Sequence, residues 1–176
     1  MPRLALKPML KPVLMPVPKA AVQASGDFDF LMGIWNCRHR YLARRLDDCH
    51  DWVEFNGTCA ARKILDGFGN IDESDIHLPG DRYRGMTLRL YDFDKDRWTR
   101  HWYDSRRPAE AFAPVVGRFV KGIGTFYGDD EWQGKAMRVR FVWSRITPTS
   151  ARWEQAFSLD EGNSWETNWI MDFTRV

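Results

Sequence analysis

From Gly33 onward the chain runs as stretches in which polar and apolar residues alternate, with glycine, proline and aspartate collected between them. Alternation with a period of two marks half-buried strands, whereas a helix needs apolar positions every three or four residues. The pattern predicts ten strands, over residues 34–45, 52–65, 69–77, 83–91, 97–104, 115–120, 124–127, 136–144, 150–159 and 164–174. Turn chemistry separates them, as in "LPGD" from Leu78, "DFDKD" from Asp92, "YGDDEWQG" from Tyr127 and "LDEGN" from Leu159. The "NG" at Asn56 lies inside a continuous strand pattern and predicts a bulge in one long strand in preference to a hairpin turn. Helix is limited to one short turn within residues 25–32, with Asp27 as its N-cap candidate and Gly33 ending it. Many short strands at near-regular spacing predict an all-β, antiparallel barrel or sandwich.

The same alternation assigns faces. In "GIWNCRHRY" one face holds Trp35, Cys37, His39 and Tyr41, and the other holds Ile34, Asn36, Arg38 and Arg40. In later strands one face gathers the tryptophans and few charges: Trp98 to Trp102, Met137 to Trp143, Trp153 to Phe157, and Trp165 to Phe173, counting alternate residues. That face is expected inside. It carries a short list of polar companions: Glu54, Asn56, Arg100, Asp104 and Gln155, with Arg84 placed inward beside Met86, Leu88 and Leu90. Aromatic walls with a few convergent polar groups describe a ligand pocket. An Arg100–Asp104 or Arg84–Glu54 pair also fits a purely structural internal salt bridge.

Composition makes a cavity affordable. In 176 residues there are nine Trp, eleven Phe and five Tyr, an aromatic share of 14%. A formal net charge of +2 argues for neither nucleic acid nor an anionic membrane. Arg3, Lys7, Lys11 and Lys19 are the only charges in residues 1–26, so the remainder is at −2. That first segment, "LKPMLKPVLMPVPK" within it, is expected to be an extended, basic arm, either docked on a surface such as a second subunit or without fixed structure. Two parts follow: the arm over 1–26, and one domain over 27–176. The prolines break every apolar run that a secretory signal would need. No run approaches the ~20 apolar residues of a spanning helix. Cys37, Cys49 and Cys59 are an odd set without CxxC spacing, which fits a reducing, cytoplasmic setting and neither a zinc cage nor a disulfide framework.

Three features join into a resemblance: a short helical turn before the G-x-W of Gly33 and Trp35, an all-antiparallel chain, and late arginines at Arg152 and Arg175. Together they resemble the calycin superfamily of lipocalin-like barrels. "SARWEQAFSLDEGNSWETNWIMDFTR", with "FDFLMGIW" and "EFNGTC", is similar to an uncharacterised bacterial calycin-like family over residues 27–176. The resemblance implies an up-and-down barrel of eight to ten strands around a cavity for a small, mostly apolar molecule. It implies no particular ligand. A haem site of the nitrobindin kind would need a late histidine, and the last one here is His101.

Other chemistry finds little footing. The aspartates of "DFDKD" have calcium-loop spacing, but Arg97 and Tyr103 stand where glycine and glutamate are required. His39, His50, His77 and His101 show no paired metal spacing, so no metal is expected. No Walker loop, dinucleotide fingerprint or G-x-S-x-G occurs. Cys37 shares a face with His39, but a buried thiol fits packing better than nucleophilic catalysis.

The expected function is to hold a small hydrophobic or aromatic molecule in the barrel. Its ligand-binding candidates are Trp35, Arg84, Arg100, Trp102, Trp143, Trp153, Gln155 and Trp169. The alternative is a cofactor-independent lyase, isomerase or cyclase working by acid–base chemistry on an aromatic or polyketide-like substrate. There His39 or Glu54 would be the base, Tyr41 the acid, Arg84 or Arg100 the anion clamp, and Asp104 a further ionisable group. The expected partner is a small molecule, with no nucleic acid or membrane, and with a homodimer through the arm as one option. An interior packed solid would instead favour a structural role.

Overall fold

The computed structural model describes residues 26–110 and 112–176, so the expected Pro-rich arm lies almost wholly outside the described residues. Ten strands follow one another: β1 (Gly33–Leu42), β2 (Trp52–Ile64), β3 (Gly69–Ile76), β4 (Tyr83–Asp92), β5 (Arg97–Asp104), β6 (Val115–Val120), β7 (Ile123–Trp132), β8 (Lys135–Ser144), β9 (Ser150–Ser158) and β10 (Glu166–Arg175). Each pairs antiparallel with its neighbour in sequence, and β10 returns to β1, closing an up-and-down barrel. Closure leaves no free sheet edge. Among the described residues helix is confined to two 3₁₀ turns, Asp29–Leu31 and Leu65–Gly67. No helix there is long and apolar enough to cross a membrane.

All ten expected strands are present, with shifted ends. The largest shift is β7, which runs on through "YGDDEW" to Trp132. Its turn is the two-residue Gln133-Gly134, both at positive φ (50° and 78°), and Lys121-Gly122 makes the β6–β7 turn with φ of 51° and 78°. Such turns match the twist of the strands they join. "NG" at Asn56 is neither turn nor bulge, because β2 pairs with β1 in unbroken register from Leu42↔Trp52 to Gly33↔Ala61.

One end of the barrel is plugged by the first 3₁₀ turn. Phe28 and Leu31 are buried against Trp35, Trp98, Phe126 and Phe173. The Trp35 indole N–H donates to the Leu31 carbonyl at 2.7 Å. Asp27 caps nothing; it accepts from the Trp98 indole at 3.0 Å. Arg175 clamps this end, donating to the carbonyls of Phe30, Met32 and Pro148 at 2.7–2.8 Å while its guanidinium lies 4.2 Å from the Trp35 ring centroid. Gly33 has φ +109°, and a Cβ there would lie 2.9 Å from Arg175 Nη1, so the glycine of G-x-W makes room for the clamp.

Register, more than hydropathy, fixes which residues look inward. Residues directly opposite in an antiparallel pair share a face. The Trp35, Cys37, His39 and Tyr41 face is inside as expected, so its partners Cys59, Gly57, Phe55 and Val53 are inside too. The expectation for β2 is therefore off by one: Glu54 and Asn56 point outward, as do Trp52 and Thr58 on the same face. The same rule carries through β3 to β4, where Tyr83, Gly85, Thr87, Arg89 and Tyr91 are inside and Arg84 is outside. Strands β5, β8 and β9 keep their expected faces. In β10 a register shift between Thr167 and Trp169 turns Asn168 into the barrel, while Trp169, Met171 and Phe173 stay inside.

Candidate functional site

Above the plug the barrel holds a cavity of about 480 Å³, within the range of small-molecule sites. Its two walls differ in kind. On one side β8, β9 and β10 present Phe141, Trp143, Trp153, Phe157, Trp169 and Met171. On the other, β3, β4 and β5 present Asp72, Ser74, Thr87, Arg89 and Arg100. Inward glycines make room for rings inside the barrel. A Cβ on Gly85 would lie 2.0 Å from the Trp102 ring, and one on Gly57 would lie 2.8 Å from His39 Nε2. Each glycine vacates the space its neighbouring ring occupies.

The polar wall contains two guanidinium groups and one carboxylate. Arg89 is 4% exposed and donates to Asp72 at 2.6 Å and to Asn70 at 2.9 Å. Arg100 stands directly opposite Arg89 across the β4–β5 ladder. It makes no ion pair or hydrogen bond through its side chain with any described residue. Instead it lies over aromatic faces, 4.6 Å from the Phe141 centroid and 5.2 Å from that of Trp102. Burial, with Arg89 alongside, pulls its pKa down to about 9 against the partial support of Asp72.

At the open end Tyr41, Tyr83, Trp132 and Phe157 form a rim with Arg45 and Arg106. Arg106 pairs with Asp104 at 2.7 Å and with Asp81 at 2.8 Å, which holds Asp104 below the usual carboxylate range. Its guanidinium sits 3.6 Å from the Tyr83 centroid. Arg45 lies over Tyr41 at 4.2 Å, and its side chain makes no ion pair with a described residue. Burial pushes the Tyr83 hydroxyl up to about 12.

The expected site residues separate into three groups. Tyr41, Arg100, Trp102, Asp104, Trp143, Trp153, Gln155 and Trp169 line the cavity. Trp35 and His39 point inward but sit outside that lining: Trp35 belongs to the plug, and His39 is stacked on Phe55 at 4.7 Å with its Nδ1 accepting from Trp169 at 3.1 Å. Burial, then the charge of His77, lowers the His39 pKa to about 4. Glu54 and Arg84 are on the outer surface, Glu54 ion-paired with Arg38 at 2.6 Å. The off-by-one faces of β2 and β4 account for both. Neither the Arg84–Glu54 nor the Arg100–Asp104 pair forms; the interior ion pair is Asp72–Arg89. Asp72 and Arg89 escape a pattern reading because an alternating segment such as "YRGMTLRL" offers its most apolar face to the outside, and Arg45 and Arg106 escape it because they lie in loops, where alternation assigns no face. The signal that finds them is strand register: Arg89 pairs with Arg100, and both must share a face.

Comparison with known proteins yields fold likeness only. No family model matches the chain, and no curated protein matches it. Among solved structures it resembles Rv2717c from M. tuberculosis (TM-score 0.56, 10% identity, 89% of this chain and 97% of that one). It also resembles the S-type phycobiliprotein lyase CPES from Guillardia theta (TM-score 0.53, 12% identity, 85% and 90%). A de novo designed fluorescence-activating β barrel overlaps more loosely (TM-score 0.46, 11% identity, 84% and 95%). The chain is thus an all-β, ten-stranded closed barrel, and what it shares with these structures is the fold.

Proposed function

We propose that the protein binds a small hydrophobic or aromatic molecule inside the barrel. The observation that carries this reading is the cavity itself: about 480 Å³, closed below by the Leu31 plug and walled on one side by indole and phenyl rings. A barrel selected only for stability fills such space with side chains, since each unfilled volume forfeits packing contacts. The likeness to a phycobiliprotein lyase supports the fold on which such a reading rests. The acid–base alternative has less support. Glu54 is outside, His39 is held by Trp169 away from the cavity lining, and Asp104 is engaged by Arg106.

The test is titration of the purified protein with N-phenyl-1-naphthylamine, an uncharged dye that brightens in apolar surroundings. Saturable binding at one site per chain is expected for the wild type and for Glu54→Ala, whose side chain is outside. Val139→Trp, which adds an indole where Val139 lines the cavity, is expected to lose it while keeping its circular dichroism spectrum. Absence of saturable binding to the wild type, or retention in Val139→Trp, overturns the proposal.

A further inference from the structure

Building on the cavity reading above, we propose that the ligand is a carboxylate: an apolar, ring-compatible body with one anionic head, which Arg100 receives. The inference starts from an imbalance of charge. Within the polar wall two guanidinium groups lie side by side, and one carboxylate serves them. Asp72 and Asn70 satisfy Arg89. Arg100 is left with five N–H donors and no acceptor among the described residues, half-buried on the inner face of β5 with its open part toward the cavity.

A charge in that position is expensive. Confining a guanidinium inside a barrel with little of its bulk hydration and no counter-ion carries a desolvation cost, and contact with Phe141 and Trp102 returns only part of it. A methionine or leucine would fill the same space without the cost. The unpaired arginine makes sense once an anion completes it, because a carboxylate meets the guanidinium fork with two parallel, charge-assisted hydrogen bonds. The rings beside Arg100 then set what the rest of the molecule must be. Phe141 and Trp153 lie 4.6 and 5.9 Å from the guanidinium, so a head bound there projects its body along an aromatic wall.

The other charges are consistent with this assignment. Asp104 is paired with Arg106 at the rim. Asp130, opposite the inward Met137, stands on the inner face at the mouth with Asp129 and Glu131 beside it; all three are exposed, so salt screens them. Arg45, without an ion-pair partner among the described residues, stands on the entry route.

The test is displacement of N-phenyl-1-naphthylamine by two competitors of like shape, 2-naphthoate and uncharged 2-naphthalenemethanol. In the wild type the carboxylate is expected to displace the dye at concentrations at least tenfold lower than the alcohol. In Arg100→Met that preference is expected to vanish while dye and alcohol still bind. Arg100→Gln serves as the same test should the methionine variant fail to fold. Equal displacement by the two competitors in the wild type, or a preference that survives in the Arg100 variants, overturns the carboxylate assignment and leaves the cavity reading standing. Failure of the dye to bind the wild type at all overturns both.

Discussion

Removing the single carboxylate of the polar wall gives the sharpest test of the cavity's electrostatics. Asp72 and Arg89 are each 4% exposed and 2.6 Å apart. In Asp72→Asn the side chain keeps its shape and an amide oxygen that can still accept, but the negative charge is gone, and Arg89 faces Arg100 with no carboxylate beside them. Stripping one partner from a buried pair costs about 3–5 kcal/mol, because the remaining charge stays out of water. For a chain of this length each kcal/mol moves the melting temperature by roughly 2–4 °C, so a fall of about 6–20 °C is expected. The assay is urea unfolding followed by tryptophan fluorescence, with thermal melts alongside. Adding Arg100→Met to Asp72→Asn removes the second guanidinium and is expected to restore about 1–3 kcal/mol. A loss below about 1 kcal/mol in Asp72→Asn, or no recovery in the double variant, would refute the view that two interior cations depend on one carboxylate.

Two further outcomes test the ends of the barrel. His39 is neutral in the folded protein, its pKa lowered from 6.5 to about 4, whereas the unfolded chain takes up a proton near pH 6.5. Its contribution to stability is therefore complete above about pH 6.5 and lost as pH falls to about 4, roughly 3 kcal/mol in all. Stability measured across that window is expected to fall more steeply for the wild type than for His39→Gln, and parallel curves would count against a buried neutral imidazole. At the plug, Arg175→Ala leaves the carbonyls of Phe30, Met32 and Pro148 without their donor and uncovers Trp35. A loss of about 2–3 kcal/mol is expected by urea unfolding, with Arg175→Lys recovering only part because one ammonium cannot reach three carbonyls.

The sequence carried the fold further than it carried the site. Every strand was legible because alternation and turn residues are local signals. The end of β7 was obscured where Gly128, Asp129 and Asp130 imitate a turn, although the hairpin itself is at Gln133-Gly134. Faces were legible on β1, β5, β8 and β9, whose inward sides carry the tryptophans. They were misread on β2, where Trp52 marks the outward face, and on β4, where hydropathy ranks Met86, Leu88 and Leu90 above Thr87 and Arg89 as candidates for the interior.

That misreading has a physical cause which also points to the site. A barrel must present one face of each strand to its interior, and closure fixes that face through register with both neighbours. Once Trp35 and His39 face inward on β1, the pairing His39↔Phe55, Ala61↔Asp72, Asn70↔Arg89 and Arg89↔Arg100 carries the inward face step by step around to β5. No freedom remains to rotate Asp72 or Arg89 to solvent without turning its whole strand. The interior therefore tolerates a polar wall only because the opposite wall is rich in rings, and the apolar residues that could have filled the space stand on the outside of β4. Local preference and global placement usually agree in a folded chain, and where they part the cause is commonly function. Here they part along β3 and β4, beside the one wall residue, Arg100, whose positive charge no described carboxylate meets.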